Sequence, residues 1–526
     1  MIQLDQPVLL SAVVAPMVAS LLLPIIGRRV NPKNVAIISG LMLLYPLIVV
    51  TVFTFIPGLG TGVVDPAYFQ NTYIGSFSML LDGLSGPIVF SIALVTTLVA
   101  AFAFPYMTHR FEEMEKEGAH KPSWGSFYML YIMFATAMLG TALSTNLIEF
   151  YIFLELTLIP SFLLIAFYGY GARERIALMY LIWTHVGALL FLIGAIAIGF
   201  NAMALGKSFD ILDMQSLTFN FKLGETALGS AAIYVAIVIL IGLFIKMAVF
   251  GVHIWLPYAH AEAPTPVSAL LSPNLIGIGG YAIVRVVYIM FPTILGDLSI
   301  YLIVLALVTM IYGGLMSLAQ DDFKRMLAYS SISQMGYLLL GIASLNSLGI
   351  SGAMLHYATH AIGKAILFSV AGVIIVQFHG LRSISKMGGL ASKMPITAAL
   401  ALLGFMQITG VPPSLGLWSE VLIVFGAVGR AYTFGAAAFA LLVVGLLVAI
   451  GLSTAYSFIT IKRIFFGHLS SEVHQEGSLE PRKSLLLPIV AIAVVGVLLF
   501  FFAWIFINPL NTIVTNIQQQ IQLLSG

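Results

Sequence analysis

Cysteine is absent from this 526-residue chain, which excludes a disulfide, a thiolate-ligated iron–sulfur cluster and a Cys-type zinc site. Charge is nearly as scarce: only 8% of residues are Asp, Glu, Lys or Arg, against about 25% in an ordinary soluble domain. With 60% hydrophobic residues, no water-soluble fold could bury so much apolar surface. Soluble-enzyme signatures are missing too, with no P-loop, no Rossmann fingerprint opening from a strand and no nucleophile elbow. No cofactor is therefore expected on this chain, and any electron transfer must occur on a partner. The formal charge of +2 gives no sign of a nucleic-acid partner.

What the chain does contain is long apolar runs. A bilayer core roughly 30 Å thick needs about 20 apolar residues per helical crossing. The runs are continuously apolar, not alternating as in an outer-membrane barrel. They predict an all-α, multi-pass protein of the cell (inner) membrane, with the lipid bilayer as its solvent. Fourteen helices are expected, at 8–27, 35–57, 86–108, 126–145, 148–170, 174–203, 229–257, 265–291, 298–319, 325–345, 351–379, 394–429, 433–463 and 485–508. The first run follows Asp5 instead of a basic segment and precedes no small-residue cleavage site, so it reads as a retained span.

The basic residues test that count through the positive-inside rule. Alternate loops hold Arg28, Arg29 and Lys33; Arg110, Lys116 and Lys121; Arg173 and Arg175; Lys324 and Arg325; Arg382, Lys386 and Lys393; and Lys462, Arg463, Arg482 and Lys483. The opposite loops hold only Lys207, Lys222 and Arg430. A missed or invented span would scramble this alternation, and both termini are expected outside the cytoplasm. The three remaining basic residues, Lys246, Arg285 and Lys364, fall within spans.

Two spans read as broken. The seventh runs through Lys246 into His253-Ile-Trp-Leu-Pro257 and Ala263-Pro-Thr-Pro266, and the twelfth contains Ile408-Thr-Gly-Val-Pro-Pro-Ser-Leu-Gly416. Proline removes a backbone donor and glycine permits the bend. Irregular backbone at membrane depth is tolerated only inside protein or beside water. The broken spans lie five helices apart, so the halves enter the membrane from opposite sides, the inverted-repeat logic of transporters. Two unrelated proline kinks are the alternative. The expected organisation is 1–125 as a three-helix segment, 126–292 and 293–466 as inverted five-helix repeats, and 467–526 as a C-terminal helix.

Ionisable groups inside spans are the candidate site. A charge at the bilayer centre costs about 2.5 to 3.5 kcal/mol on insertion scales, so Lys246 needs a partner or water. Glu155, mid-span, is the natural counter-ion, and a pair that can be made or broken is a proton switch. Glu149 reads as a solvated end residue and His185 as structural, with a direct role for either as the alternative. His356, His360 and Lys364 share one helical face at i, i+4 and i+8, in the manner of a proton wire. A metal site there would lack an adjacent carboxylate. Glu420, just after the break in the twelfth span, reads as the terminal carboxylate of the chain, or else as a carboxylate stabilised by its helix N-terminus.

These motifs resemble the antiporter-like subunits of respiratory complex I and its relatives, and most of all subunit M. The resemblance covers roughly residues 75 to 465. Its anchors are Leu81-Asp-Gly-Leu-Ser85, Glu155 with Leu158-Ile-Pro160, Lys246 with the run His253 to Pro266, Lys324-Arg-Met-Leu-Ala-Tyr-Ser-Ser331, and the helix carrying His360 and Lys364. The resemblance implies fourteen helices in inverted five-helix repeats, and protons passing from Glu155 and Lys246 along a hydrated axis to Glu420. It implies partners: other antiporter-like membrane subunits and a redox arm. The function implied is redox-driven proton translocation, with sodium as the alternative cargo and a sodium/proton antiporter without redox activity as the alternative assembly. Two departures stand out. The helix-eight pattern Leu-Leu-Lys-Met-Gly-Gly-Tyr here reads Leu275-Ile-Gly277-Ile-Gly-Gly-Tyr281, and Lys364 holds a position filled by lysine in L and N subunits. The central relay is expected to have moved from helix eight to helix eleven, unless the chain serves a related hydrogenase, sulfane reductase or archaeal dehydrogenase.

Overall fold

The computed structural model describes residues 1–55, 62–118, 123–470 and 480–524; Lys121 and the expected end of the second helix at 57 lie outside them. Among the described residues, 14 helices are long and apolar enough to cross a membrane: Val8–Ile26, Pro32–Phe55, Gly86–Lys116, Trp124–Leu143, Leu147–Tyr168, Arg173–Met203, Leu223–Met247, Thr265–Tyr288, Pro292–Leu318, Phe323–Ala343, Ser347–Gln377, Leu415–Tyr432, Ala436–Phe465 and Lys483–Phe501. They are named below as the first to fourteenth spans. The shorter helix Pro395–Ile408 is the first part of the twelfth. Strands are confined to loops, where Ile2–Gln3, Val63–Val64 and Leu80–Leu81 form one small sheet and Phe69–Asn71 with Gly75–Phe77 and Leu212–Asp213 with Thr218–Phe219 form two hairpins.

Loop-to-loop bonds agree with the alternation of the spans. On one face Asn146 donates to Asp210 at 2.7 Å, the Lys222 N–H to the Ile289 carbonyl at 2.8 Å and Arg430 to the Gly296 carbonyl at 3.1 Å. On the other, Arg110 donates to the Gly169 carbonyl at 2.6 Å, the Tyr170 N–H to the Glu262 carbonyl at 2.8 Å, and Arg382 pairs with Asp322 at 2.7 Å. Each set joins loops of one parity only, as fourteen crossings require.

Among the helix ends that differ from the sequence expectation, two carry a structural lesson. The third span continues beyond 108 to Lys116 because Arg110, buried on the bundle, pairs with Glu113 at 3.3 Å and Glu117 at 3.0 Å and carries the helix past its apolar stretch. The fourteenth stops at Phe501, and a further helix, Trp504–Leu523, follows. Its buried residues Phe506, Leu510, Ile513, Val514 and Ile517 recur at helical spacing, an amphipathic stripe on a helix otherwise too polar to read as a span.

The eighth, tenth and eleventh spans are buried along nearly their whole length. Glycine makes this possible in the eighth. A Cβ at Gly277 would stand 2.4 Å from the Tyr357 ring, at Gly279 2.6 Å from Met247 Cγ, and at Gly280 2.0 Å from a Leu338 methyl. Three glycines in four positions thus admit the eleventh, seventh and tenth spans in turn. The same helix widens into π-type turns at Leu271–Leu275, where Pro273 removes a backbone donor, and again at Ile283–Tyr288.

Arg285, in the second of these wide turns, grips Asp82 through two bonds of 2.6 and 2.8 Å. Its Nε donates to the Tyr281 hydroxyl at 2.8 Å, and that hydroxyl donates to the Ala142 carbonyl at 2.7 Å. The fully buried cluster ties the start of the third span to the fourth and eighth. Burial alone would push the Asp82 carboxyl up, but the Arg285 guanidinium and the Ser85 N–H hold it below its ordinary value. Removing one partner of such a pair strands a buried charge, so Asp82→Ala and Arg285→Ala should each destabilise the chain by about 3–5 kcal/mol. The double variant should lose less than the sum of the two, measured by thermal unfolding in detergent. Because the Asp82 value is lowered on folding, its contribution is fully present above about pH 4 and is lost as the pH falls through the lowered value, so the wild type should lose stability in acid that the Asp82→Asn variant does not.

Candidate ion-translocation site

The seventh span is interrupted where it carries its lysine. The helix Ala232–Met247 ends on Ala248 in a left-handed conformation (φ 55), Gly251 follows at φ +93, and Trp255–Glu262 resumes the helix. A non-glycine residue at positive φ costs about 1–2 kcal/mol, which the surroundings offset. The Trp255 indole donates to the Ile245 carbonyl at 2.9 Å, the Phe250 N–H to Thr309 at 3.3 Å, and His253 contacts the Tyr312 hydroxyl at 3.1 Å. Lys246 sits in the last turn of the first piece, buried, beside carbonyls the break leaves outside the helical ladder. A helix C-terminus carries partial negative charge and favours a cation there.

The twelfth span breaks between Ile408 and Leu415, with Gly410 at φ +64. Glu420 lies in the second turn of the resumed helix, near its electropositive end, and a Cβ on Gly410 would stand 2.7 Å from Glu420 Oε2. Each break therefore places its ionisable residue at the helix end of complementary sign.

On the eleventh span, His356, His360 and Lys364 are all fully buried. His356 Nδ1 lies 3.1 Å from the hydroxyl of Ser419, the neighbour of Glu420, and its ring stacks on Tyr337 at 5.7 Å. Lys364 donates to the Leu327 carbonyl at 2.9 Å and to the Ser330 hydroxyl, both on the tenth span. His360 lies within electrostatic reach of Lys364, His356 and His260. The structure thus brings the helix-eleven row together with the tenth span at Lys364 and, at His356, with Ser419, the residue before Glu420. The Gly277 site on helix eight is filled by the Tyr357 ring, whose hydroxyl donates to the Asn274 carbonyl at 2.6 Å.

Glu155 has a different partner from the one expected. Its Oε2 lies 2.9 Å from His185 Nδ1, whereas Lys246 is within electrostatic reach but forms no hydrogen bond or ion pair among the described residues. His185, read from the sequence as structural, is thereby a partner of Glu155. Glu149 corrects a second expectation: it is buried, not solvated, because the loop before the third span folds over it, with the Tyr68 hydroxyl and the Thr145 N–H (2.9 Å) donating to its carboxylate.

Sequence reasoning missed several members. Lys324, read as a loop marker, is fully buried and donates to the Ala263 carbonyl at 2.5 Å. His260 is buried against Phe368 at 5.0 Å, within electrostatic reach of Lys324 and Lys364. Its place in the run His253 to Pro266 was the available signal. Both ring nitrogens of His260 and of His360, both side-chain atoms of Asn274, Thr359 Oγ1, His356 Nε2, Gln407 Oε1 and Glu420 Oε1 are buried without a protein partner. Buried polar atoms need a hydrogen-bond partner, so a cluster without protein partners marks a polar interior suited to water.

Fourteen spans, two of them interrupted, around buried acids and bases define a many-span membrane protein of the antiporter-like class. The chain belongs to the family described as NADH:quinone oxidoreductase/Mrp antiporter, TM, whose model matches residues 144–446 and so includes every candidate site residue. It is 32% identical over 457 residues to the F(420)H(2) dehydrogenase subunit M of Methanosarcina mazei, covering 86% of this chain and 85% of that one. It is 34% identical over 432 residues to an NAD(P)H-quinone oxidoreductase chain 4 of Thermosynechococcus vestitus, covering 79% and 75%. Among solved structures it resembles a chain of respiratory complex I from Thermus thermophilus, with a TM-score of 0.78, 25% identity and coverage of 97% and 99%. A chain of the Mrp complex from Dietzia sp. shares the fold, with a TM-score of 0.80, 21% identity and 99% of both chains covered.

The contact at Gly277 generates a prediction. Adding a Cβ forces Tyr357 off its site, so Gly277→Ala should destabilise the chain by about 1–3 kcal/mol, read as a lower unfolding temperature in detergent. The same change at Gly296, which faces open space, should cost far less.

Proposed function

We propose that this chain is the proton-translocating, antiporter-like subunit of a redox-driven complex I-type membrane assembly, coupling electron transfer in partner subunits to ion pumping. The observation that carries the reading is the set of buried, unpartnered polar atoms lying between the two broken spans, on helices otherwise made of apolar residues. Such atoms can accept and donate to water and a moving proton, which a purely structural scaffold would have no cause to maintain. The names of the relatives, an F(420)H(2) dehydrogenase subunit and NAD(P)H-quinone oxidoreductase chains, support an assembly with a redox arm and further membrane subunits.

In this reading Glu155, Lys246, His356, His360, Lys364 and Glu420 form the proton pathway, and the segments 126–292 and 293–466 are its two inverted halves. Lys246 loads and releases a proton as the hold of Glu155 on it changes. His360, His356 and Lys364 carry charge along the eleventh span toward Glu420 at the second break. Each charge moved against the membrane potential costs about 2.3 kcal/mol per 100 mV, which the redox partners supply. Lys364 takes the central place that Gly277 leaves without an ionisable group.

In the assembled complex reconstituted into liposomes, Lys246→Ala and Glu420→Gln should each lower protons pumped per electron by about tenfold or more. A dye reporting internal pH, read beside donor oxidation, measures the ratio, and wild-type stoichiometry in Lys246→Ala would sink the proposal. Isolation of the chain with antiporter subunits alone, without iron–sulfur partners, would favour a sodium/proton antiporter instead.

A further inference from the structure

We infer that His185 is a positioning residue that competes with Lys246 for the Glu155 carboxylate, so that the proton on His185 sets how strongly Glu155 holds a proton on Lys246. The inference rests on the reading of Lys246 as the residue that loads and releases the translocated proton.

The geometry is that of one carboxylate between two bases. Glu155 lies just before Thr157, where the fifth span divides into Leu147–Leu156 and Leu158–Tyr168. Its Oε2 is taken by His185 Nδ1 from the sixth span at 2.9 Å. Its Oε1 is buried with no partner. Lys246, on the seventh span, is the cation within electrostatic reach, and it is not bound to Glu155 or to any other described group. Two phenols also lie in reach of this carboxylate, that of Tyr151, one turn away on the fifth span, and that of Tyr180 on the sixth, whose hydroxyl is occupied at 2.8 Å by Ser161. Neither phenol supplies positive charge, so the contest is between His185 and Lys246.

An imidazolium at His185 cancels most of the carboxylate's charge where the two touch, and the field left to act on Lys246 is small. A neutral imidazole still donates its Nδ1–H, but it leaves the full negative charge to hold the Lys246 ammonium. Protonation of His185 therefore favours release from Lys246 and its deprotonation favours reloading, with no proton passing between the two. His185 is also the reachable member: its side chain is 45% exposed on the outer wall of the bundle, among the exposed Ile182, Val186 and Leu189, while Lys246 is buried. Charge inside a bilayer is tolerated only beside protein or water, so a neighbouring subunit covering this wall would bias the contest at His185.

The test uses the assembled complex in liposomes, with protons pumped per electron measured across about pH 5.5 to 8.5. His185→Gln keeps a hydrogen-bond donor but cannot become a cation. It should pump about tenfold less, with a flattened pH profile and the wild-type amount of assembled complex. Infrared difference spectra give a second measurement: the carboxylate band absent from Glu155→Gln should shift in His185→Gln, which a histidine with no hold on Glu155 would leave in place. Wild-type pumping and pH profile in His185→Gln, an unshifted band, or a loss of pumping matched by loss of assembled complex each overturn the inference. If Lys246→Ala itself pumps as wild type, the reading beneath it fails; if Lys246→Ala is inactive while His185→Gln is unaltered, only the competition does.

Discussion

The hydrocarbon interior offers no hydrogen-bond partner, and the rest of this structure depends on that single constraint. Outer helices meet it mostly with apolar residues, the pair Glu155–His185 standing apart from that pattern. The inner helices cannot, because they carry lysines, histidines, asparagine and glutamate, so these lie at the centre of the bundle on the eighth, tenth and eleventh spans and at the ends of broken ones. Where a polar group has a permanent partner, as Arg285 has in Asp82, the result is a rigid tie. Where partners are left incomplete, as at His260, His360, Asn274 and Glu420, polarity is kept available inside the membrane.

The breaks have an electrostatic logic beyond flexibility. A helix interrupted at mid-membrane exposes carbonyls on one side of the break and N–H groups on the other. Lys246 stands at the carbonyl end in the seventh span and Glu420 near the N–H end in the twelfth. The two breaks thus set a basic residue beside a carbonyl end and an acidic residue one turn beyond an N–H end. Between them, the glycines at 277, 279 and 280 let three helices close on the eighth, and Tyr357 occupies the volume that a lysine at 277 would need.

Much of the fold was legible because its signals are local. Apolar length marks each span, basic residues mark alternate loops, and Pro with Gly marks the two breaks; the row of His356, His360 and Lys364 follows from helical periodicity alone. The third helix ran longer and Trp504–Leu523 went unseen for the same reason: both are helices held by tertiary contacts and not by continuous apolarity. Lys324 looked like a topological marker because its neighbours in sequence are polar, yet the Ala263 carbonyl and the Tyr170 ring enclose it. Glu149 looked solvated because it begins a helix, and a loop from elsewhere covers it.

The sequence by itself determined that this is a membrane protein, how many times it crosses, which spans are broken and which ionisable residues are forced into the bilayer. Only the tertiary structure decided who meets whom. Asp82 and Arg285 are 203 residues apart, and Glu155 meets His185 from the neighbouring span while Lys246 stands off. Helical periodicity says which residues share a face, because rise and turn are properties of the backbone. Which face then meets which is settled by the packing of whole helices, through glycines, wide turns and aromatic rings that act only once the bundle has closed.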